Sequence, residues 1–409
     1  MAHAATFHQD TQTGTSELRT KIAARVQDKL KITVQATHAI ADVETVWREL
    51  ETFGLDSPGQ SFDFIRLWAE AVCIKPSDQL YLVGSIDGRP VALFPLCRKR
   101  HRGVGVLTWF PGVHVGCNAP LVDADKLDAI GPDGRTALWQ AMLAGRREAD
   151  AVYLRAMPRQ AAGRDDLFAE LGTILPVETL YRAQFSSWED CNTTQRSKSR
   201  RKHDRQQGER LKALGTVGFG TVSREDAPAV LDTMFRQRAA RFAAMGVADP
   251  FASPEVRRFY ESTLDLRGPV EVRLHALRLN GEVVAVRYNI AHGGKLFCLI
   301  SSMSADPAIQ VGSPGKQCLL RVMQSVFAEG YGVFDMGAGF TDEKRHWCNV
   351  QIPLAHHYVP LSVVGRLSVL GHQSWHVARS RIKANTTLAK AVKTIRQARS
   401  KVRVPVAEE

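Results

Sequence analysis

QLYLVGSIDGRPVALFPLC, residues 79–97, reads as two strands folded back on each other at Asp87-Gly88, a dipeptide suited to the left-handed residues of a tight hairpin turn. The same design returns in VEVRLHALRLNGEVVAVRYNIA, residues 270–291, around Asn280-Gly281. Two helical patterns precede each turn. The first pair is Asp42 to Phe53, with Val43, Val46, Trp47 and Leu50 on one face, and Phe62 to Cys73, with Ile65, Leu67 and Trp68. The second pair is Asp226 to Ala244, with Val230, Leu231, Met234 and Phe235, and Pro254 to Leu266, with Val256, Phe259, Tyr260 and Leu264. After the first hairpin come GVLTWF (105–110), a helix near Arg135–Arg147 and AVYLRA (151–156). After the second come KLFCLISS (295–302), a helix from Ser313 to Glu329 and GVFDMG (332–337). Short strands, KITVQ (31–35) and VGFGTV (217–222), open the two sets. The order strand, helix, helix, hairpin, strand, helix, strand therefore occurs twice. The chain is expected to be an α/β protein, with α+β mixed sheets, built as two tandem lobes.

The expected boundaries are a flexible tail over 1–30, a first lobe over 31–191, a basic helical linker arm over 192–215, a second lobe over 216–364 and a basic helical tail over 365–409. Charge separates these regions. The chain carries 54 Lys and Arg against 42 Asp and Glu, a net +12. The arm holds eight basic residues against two acidic, +6, and the tail ten against two, +8, which leaves the remainder near −2. A nucleic-acid enzyme with a basic cleft more often spreads positive charge through its domains. No run approaches 18 consecutive apolar residues, so no membrane-spanning helix is expected, and the first 30 residues show no secretory signal. The seven scattered cysteines have no CxxC pair and suit a reducing cytoplasm. Leu367 to Arg403 reads as one or two amphipathic helices, packed on the second lobe, attached to an anionic membrane surface at the inner face, or in contact with a polyanion.

Two constellations carry candidate chemistry. In Val311-Gly312-Ser313-Pro314-Gly315-Lys316-Gln317 the glycines allow close approach of a ligand, Ser313 is placed to N-cap a helix, and the helix start would receive a phosphate. An ordinary capped helix explains the same residues. Phe334-Asp335-Met336-Gly337-Ala338-Gly339 puts an acid at the end of an apolar strand, where α/β proteins bind ligands; an Asx-turn that caps the strand is the alternative. Walker A, GxGxxG and GxSxG patterns are absent. His346 with Cys348, or His356-His357, has no second cluster at ligand spacing, so no metal is expected. Cys318, inside the later helix, reads as a packed thiol.

The ordered set of Leu211 to Gly215, Ser313 to Gly315, Phe334 to Gly339 and Lys344 to Trp347, preceded by the basic SKSRRKHDRQQGERLKALG (197–215), resembles the CelD/BcsL-type acetyltransferases of the GNAT superfamily, relatives of FemAB-like double-GNAT proteins. The resemblance covers roughly residues 40–365 and implies two GNAT lobes, the second binding the donor. It implies an acyltransferase that moves an acyl group from acetyl-CoA or another acyl-CoA to an amine or hydroxyl on a small or glycan-linked acceptor, in exopolysaccharide, cellulose or envelope synthesis. By that analogy Phe297, Leu299, Ser301 and Ser302 hold the pantetheine, and Gly312, Ser313, Gly315 and Lys316 the pyrophosphate. Asp335 would orient or deprotonate the acceptor, Lys344 would hold an anionic group, and Trp347 would stack on a sugar, unless it packs in the core. The competing readings are FemAB-like aminoacyl transfer from charged tRNA, and a non-catalytic GNAT scaffold docked on a membrane synthase complex.

Overall fold

The computed structural model describes residue 26 and residues 28–384. The expected tail over 1–30 lies almost entirely outside the described residues, as does the basic tail beyond Ala384.

Short helical turns and two-residue strands aside, the elements follow the duplicated order. The first set is β1 (Ile32–Thr37), α1 (Glu44–Glu51), α2 (Phe62–Ala71), β2 (Gln79–Ile86), β3 (Arg89–His101), β4 (Val104–Trp109), α3 (Gly131–Leu143) and β5 (Ala151–Pro158). β6 (Thr173–Gln184) and the arm helix α4 (Lys198–Lys212) come next. The second set is β7 (Val217–Thr221), α5 (Ala227–Met245), α6 (Pro254–Thr263), β8 (Val270–Leu279), β9 (Glu282–His292), β10 (Lys295–Met303), α7 (Pro314–Ala328) and β11 (Val333–Ala338). α8 (Asp342–Trp347), β12 (Val350–Pro360) and α9 (Val363–Ala384) follow. Both hairpin turns take two successive residues with positive φ, 50° and 77° at Asp87-Gly88 and 51° and 87° at Asn280-Gly281. That geometry matches the right-handed twist of the flanking strands.

The chain forms two compact units. The first comprises the described residues up to Leu180, Ala338–Phe340 and Gln351–Arg366; the second comprises Tyr181–Gly337, Thr341–Val350 and the described residues from Leu367 on. Sequence order suggests that residues up to 364 belong to the second lobe, but β12 pairs antiparallel with β5 and so joins the first unit. Strand pairing, a long-range choice, overrides chain order here.

Each unit repeats one sheet topology. In the first, β1 to β4 form an antiparallel meander and β4 then pairs parallel with β5. In the second, β7 to β10 form the meander and β10 pairs parallel with β11. A parallel pair needs a crossover, which α3 and α7 supply. Alternation along β2 sends successive side chains to opposite faces: Leu80 and Leu82 join Leu138 and Met142 of α3 in one core, while the ring of Tyr81 lies 5.9 Å from that of Trp47 on α1. Likewise Ala285 of β9 packs with Leu319, Val322 and Met323 of α7, and Tyr288 meets Tyr260 of α6 at 5.2 Å. Helices therefore cover both faces of the strands in each unit.

The arm helix belongs to the second unit and is fastened along its length. Ser197 caps it by accepting from the Arg200 N–H at 3.1 Å. A Cβ on Gly312 would stand 2.7 Å from Leu211, and one on Gly208 would stand 3.0 Å from Gln317. Gly215, at φ +150°, lies against Asn280, whose Oδ1 accepts from the Thr216 N–H at 2.9 Å. Leu211 to Gly215 thus tie α4 to α7 and to the second hairpin.

Candidate active site

The parallel ladder of β10 and β11 is short. Lys295, Leu296 and Phe297 face Val333, Phe334 and Asp335, and there the pairing stops, although β10 runs on to Met303 and β11 to Ala338. The two strands part, and the peptide groups of β10 beyond Phe297 no longer ladder with β11.

The residues expected to wall the donor divide into two kinds. Leu299 is partly exposed and Ser301 is exposed. Phe297 is buried in the core, and Ser302 turns its buried hydroxyl to Gln237 Oε1 at 2.7 Å. The side chains of Phe297 and Ser302 are committed to packing, and of the four only Leu299 and Ser301 remain accessible. Arg238 on α5 donates to the Ser301 carbonyl at 3.2 Å.

The turn before α7 also differs from expectation. Ser313 adopts φ 48°, ψ 61° and makes no side-chain cap bond. Gly312 is small because Leu211 lies against it, not because its face is open. Several N–H groups expected to cradle a phosphate have backbone acceptors: Gly312 donates to Ile309, Ser313 to Gln310 and Lys316 to Ser313. Pro314 has no N–H, so Gly315 carries the available donor at this start. A Cβ on Gly315 would meet the Met303 side chain first, at 2.8 Å.

Asp335 is 3% exposed. Its Oδ2 accepts from Arg182 Nε at 2.8 Å and its Oδ1 from the Gly337 N–H at 2.7 Å, an Asx-turn at the strand end. Both oxygens are held by donors, so an acceptor would have to displace one. Lys344 is buried on α8, whose first turn Thr341 caps, and its Nζ donates to the Gly337 carbonyl at 3.0 Å. Asp335 and Lys344 thus grip the same residue of β11 from its two ends.

Trp347 is 2% exposed, and the guanidinium of Arg196 lies 4.4 Å from its ring centroid. Its ring packs in the core and is covered by a cation, so it is not placed to stack on a sugar. Burial pushes the Cys318 thiol up to about 12, which suits packing and not nucleophilic attack. His356 and His357 are buried in β12 and use their Nδ1 atoms on the Ala156 N–H and the Leu171 carbonyl.

Sequence reasoning missed Arg287. On β9, at 6% exposure, it reaches Gly315 O at 3.4 Å, Cys298 Sγ at 3.7 Å and Glu343 Oε2 at 3.8 Å. These contacts are long, and they reach β10, the start of α7 and α8 together. An arginine within the apolar run VVAVRYNIA was the available signal.

The model of the acetyltransferase (GNAT) domain family matches residues 198–345, from α4 to α8. Among solved structures, that of FemX is similar at 11% identity over 80% of this chain and 97% of that one, with a TM-score of 0.51. The C-terminal domain of a putative lysylphosphatidylglycerol synthetase from Agrobacterium fabrum aligns at 12% identity, over 75% of this chain and 94% of its own, with a TM-score of 0.46. A tandem GNAT protein from the clavulanic acid biosynthesis pathway aligns at 13% identity, over 80% and 98%, with a TM-score of 0.42. No curated protein sequence matches the chain. At these identities the likeness is one of fold.

Proposed function

We propose that the protein is an acyl-CoA-dependent acyltransferase whose second unit binds the donor between β10 and β11. The parting of these strands after Phe297 and Asp335 is the observation that carries the reading. The thioester carbonyl would lie along the backbone of β10 beyond Phe297, where strand N–H groups can stabilise the oxyanion, and the donor phosphates would approach Gly315 at the start of α7. The acceptor amine or hydroxyl attacks the carbonyl carbon, the C–S bond breaks, and the thiolate leaves as CoA-SH with the proton the acceptor gives up. Asp335 and Lys344 act by holding the end of β11, and Arg287 by fixing the Gly315 peptide. Asp335 in this reading positions the strand and is not the general base. The acceptor class, a small or glycan-linked amine or hydroxyl, comes from the family resemblance.

The direct test is thermal melting of the full chain with acetyl-CoA and, separately, with charged tRNA. Stabilisation by acetyl-CoA is expected, about 2.7 kcal/mol at a hundredfold excess over Kd. Stabilisation by charged tRNA alone would favour aminoacyl transfer, the reading that the likeness to FemX keeps open.

The C-terminal region suits a membrane surface. No helix among the described residues is long and apolar enough to cross a membrane, but α9 exposes Val363, Leu367, Leu370 and Trp375 ahead of a strongly basic tail. Anionic liposomes should retain the protein at low salt and release it as salt rises. Absence of retention at low salt removes this assignment.

A further inference from the structure

Along α4 and α7 the second unit carries a groove of about 420 Å³, lined by both helices and by Trp188 and Asn192. The helices meet closely where Gly208 abuts Gln317, and Gln317 Nε2 donates to the Asp204 carbonyl at 2.7 Å. Charge in the groove is unbalanced. Its lining includes Arg196, Arg201, Arg205, Lys212 and Arg321 against Asp204 and Glu209. Each carboxylate carries an ion pair: Asp204 Oδ2 accepts from Arg196 at 2.6 Å and from Arg200 at 3.1 Å, its buried Oδ1 having no partner, and Glu209 pairs with Lys212 at 3.0 Å.

That leaves three guanidinium groups. Arg201 donates to the Asn192 carbonyl, and Arg321 to the carbonyl and Oε1 of Gln317. Arg205 is exposed to the groove. None of the three forms an ion pair among the described residues. Burial lowers the pKa of Arg321, because its charge is desolvated with no carboxylate opposite. At one end Arg196, 4% exposed, keeps a buried Nε without a partner even though its two Nη atoms are bonded. Arg201, Arg205 and Arg321 keep donors that no carboxylate among the described residues takes, and an anion with several acceptor oxygens would accept from them.

We propose that this groove binds a phosphorylated small molecule of nucleotide size, its phosphate held by Arg201, Arg205 and Arg321. Planar forks of donors from three arginines suit a tetrahedral phosphate better than a planar carboxylate. The volume is that of a small-molecule site, and Trp188 in the wall already lies under the Arg196 guanidinium, 5.7 Å from its ring centroid. A single aromatic side chain does not make a stacking platform for successive bases, so the surface is not read as an RNA track. The site lies along residues 317–324 of α7, beyond the Gly315 start assigned to the acyl donor, so the proposal goes beyond acyl transfer.

Calorimetric titration of the full chain with ADP at low salt tests it, using wild type, Arg205→Gln, Arg205→Gln/Arg321→Gln and Gly315→Val. The wild type should bind, the double variant at least tenfold more weakly, Arg205→Gln between them, and Gly315→Val as wild type. Arg205 is exposed, so its replacement reports on binding without threatening the fold. Equal binding by wild type and both arginine variants overturns the proposal, as does absence of ADP binding at millimolar concentration. Loss of ADP binding in Gly315→Val alone assigns the nucleotide to the donor turn and overturns it as well. A short RNA hairpin that binds more tightly than ADP and loses affinity in the double variant assigns the groove to RNA instead.

Discussion

The two units share one topology and treat the gap after their parallel strands differently. In the first unit, β4 and β5 pair only at Val106–Ala151 and Leu107–Val152. The chain that follows β4 then returns to β5: the Asn118 N–H donates to the Ala156 carbonyl at 3.0 Å, and its Nδ2 reaches the carbonyls of Arg155 and Gly112 at 3.3 Å. Gln60 and Asp56 fasten the same loop, through the Pro120 carbonyl and the Cys117 thiol. In the second unit the peptide of Gly337 on β11 is served by charged side chains, Asp335 on its N–H and Lys344 on its carbonyl. One gap is filled by neutral backbone and an amide; the other is edged by the Asp335–Arg182 ion pair and by Lys344. Buried backbone must find partners in either case. What supplies them decides whether the gap is a piece of core or a site.

The largest expected effect bears on the charged edge. Asp335→Ala removes the carboxylate partner of Arg182 and should destabilise the protein by about 3–5 kcal/mol in urea unfolding, the usual result of orphaning one member of a buried pair. Asp335→Asn keeps an acceptor for the Gly337 N–H and should lose less. The same variant separates positioning from proton transfer: turnover within tenfold of wild type fits a positioning residue, while a drop of about 10²–10⁴ with the fold intact would assign Asp335 as general base.

A smaller effect is expected at the helix start. Gly315→Val pushes a branched side chain toward Met303 and across the donor approach, so acetyl-CoA affinity should fall about tenfold or more by calorimetry. The thioether of Met303 can move, so the fold should survive. Unchanged affinity in the folded variant would remove the donor from this turn.

The smallest effect sharpens the contrast from the other side. Asn118→Ala in the first unit should cost about 1 kcal/mol of stability through its lost hydrogen bonds. It should leave acetyl-CoA affinity unchanged, because that gap is already closed by the chain. Weakened donor binding in this variant would mean that the first unit takes part in holding the donor.

What the sequence determined by itself was everything with a short period. Asp87-Gly88 and Asn280-Gly281 specify turns whose left-handed residues few other pairs tolerate. The 3.6-residue spacing of Cys318, Leu319, Val322, Met323 and Val326 specifies a helix with one apolar face. From these the duplication, and with it the fold class, followed. β6 escaped because TILPVETLYRAQ carries a proline and exposed positions that blur the alternation. The site was legible only as a list of elements, since each side chain's role depends on a partner far along the chain. Gly312 is a glycine because of Leu211, about a hundred residues earlier. The ring of Trp347 is covered because of Arg196, and Asp335 is engaged because of Arg182. Arg287 matters because β9 carries it beneath the start of α7. Local propensity sets which face of an element is apolar, but only tertiary packing decides which distant residue covers that face. In this protein that choice made one gap a core and left the other edged with charge.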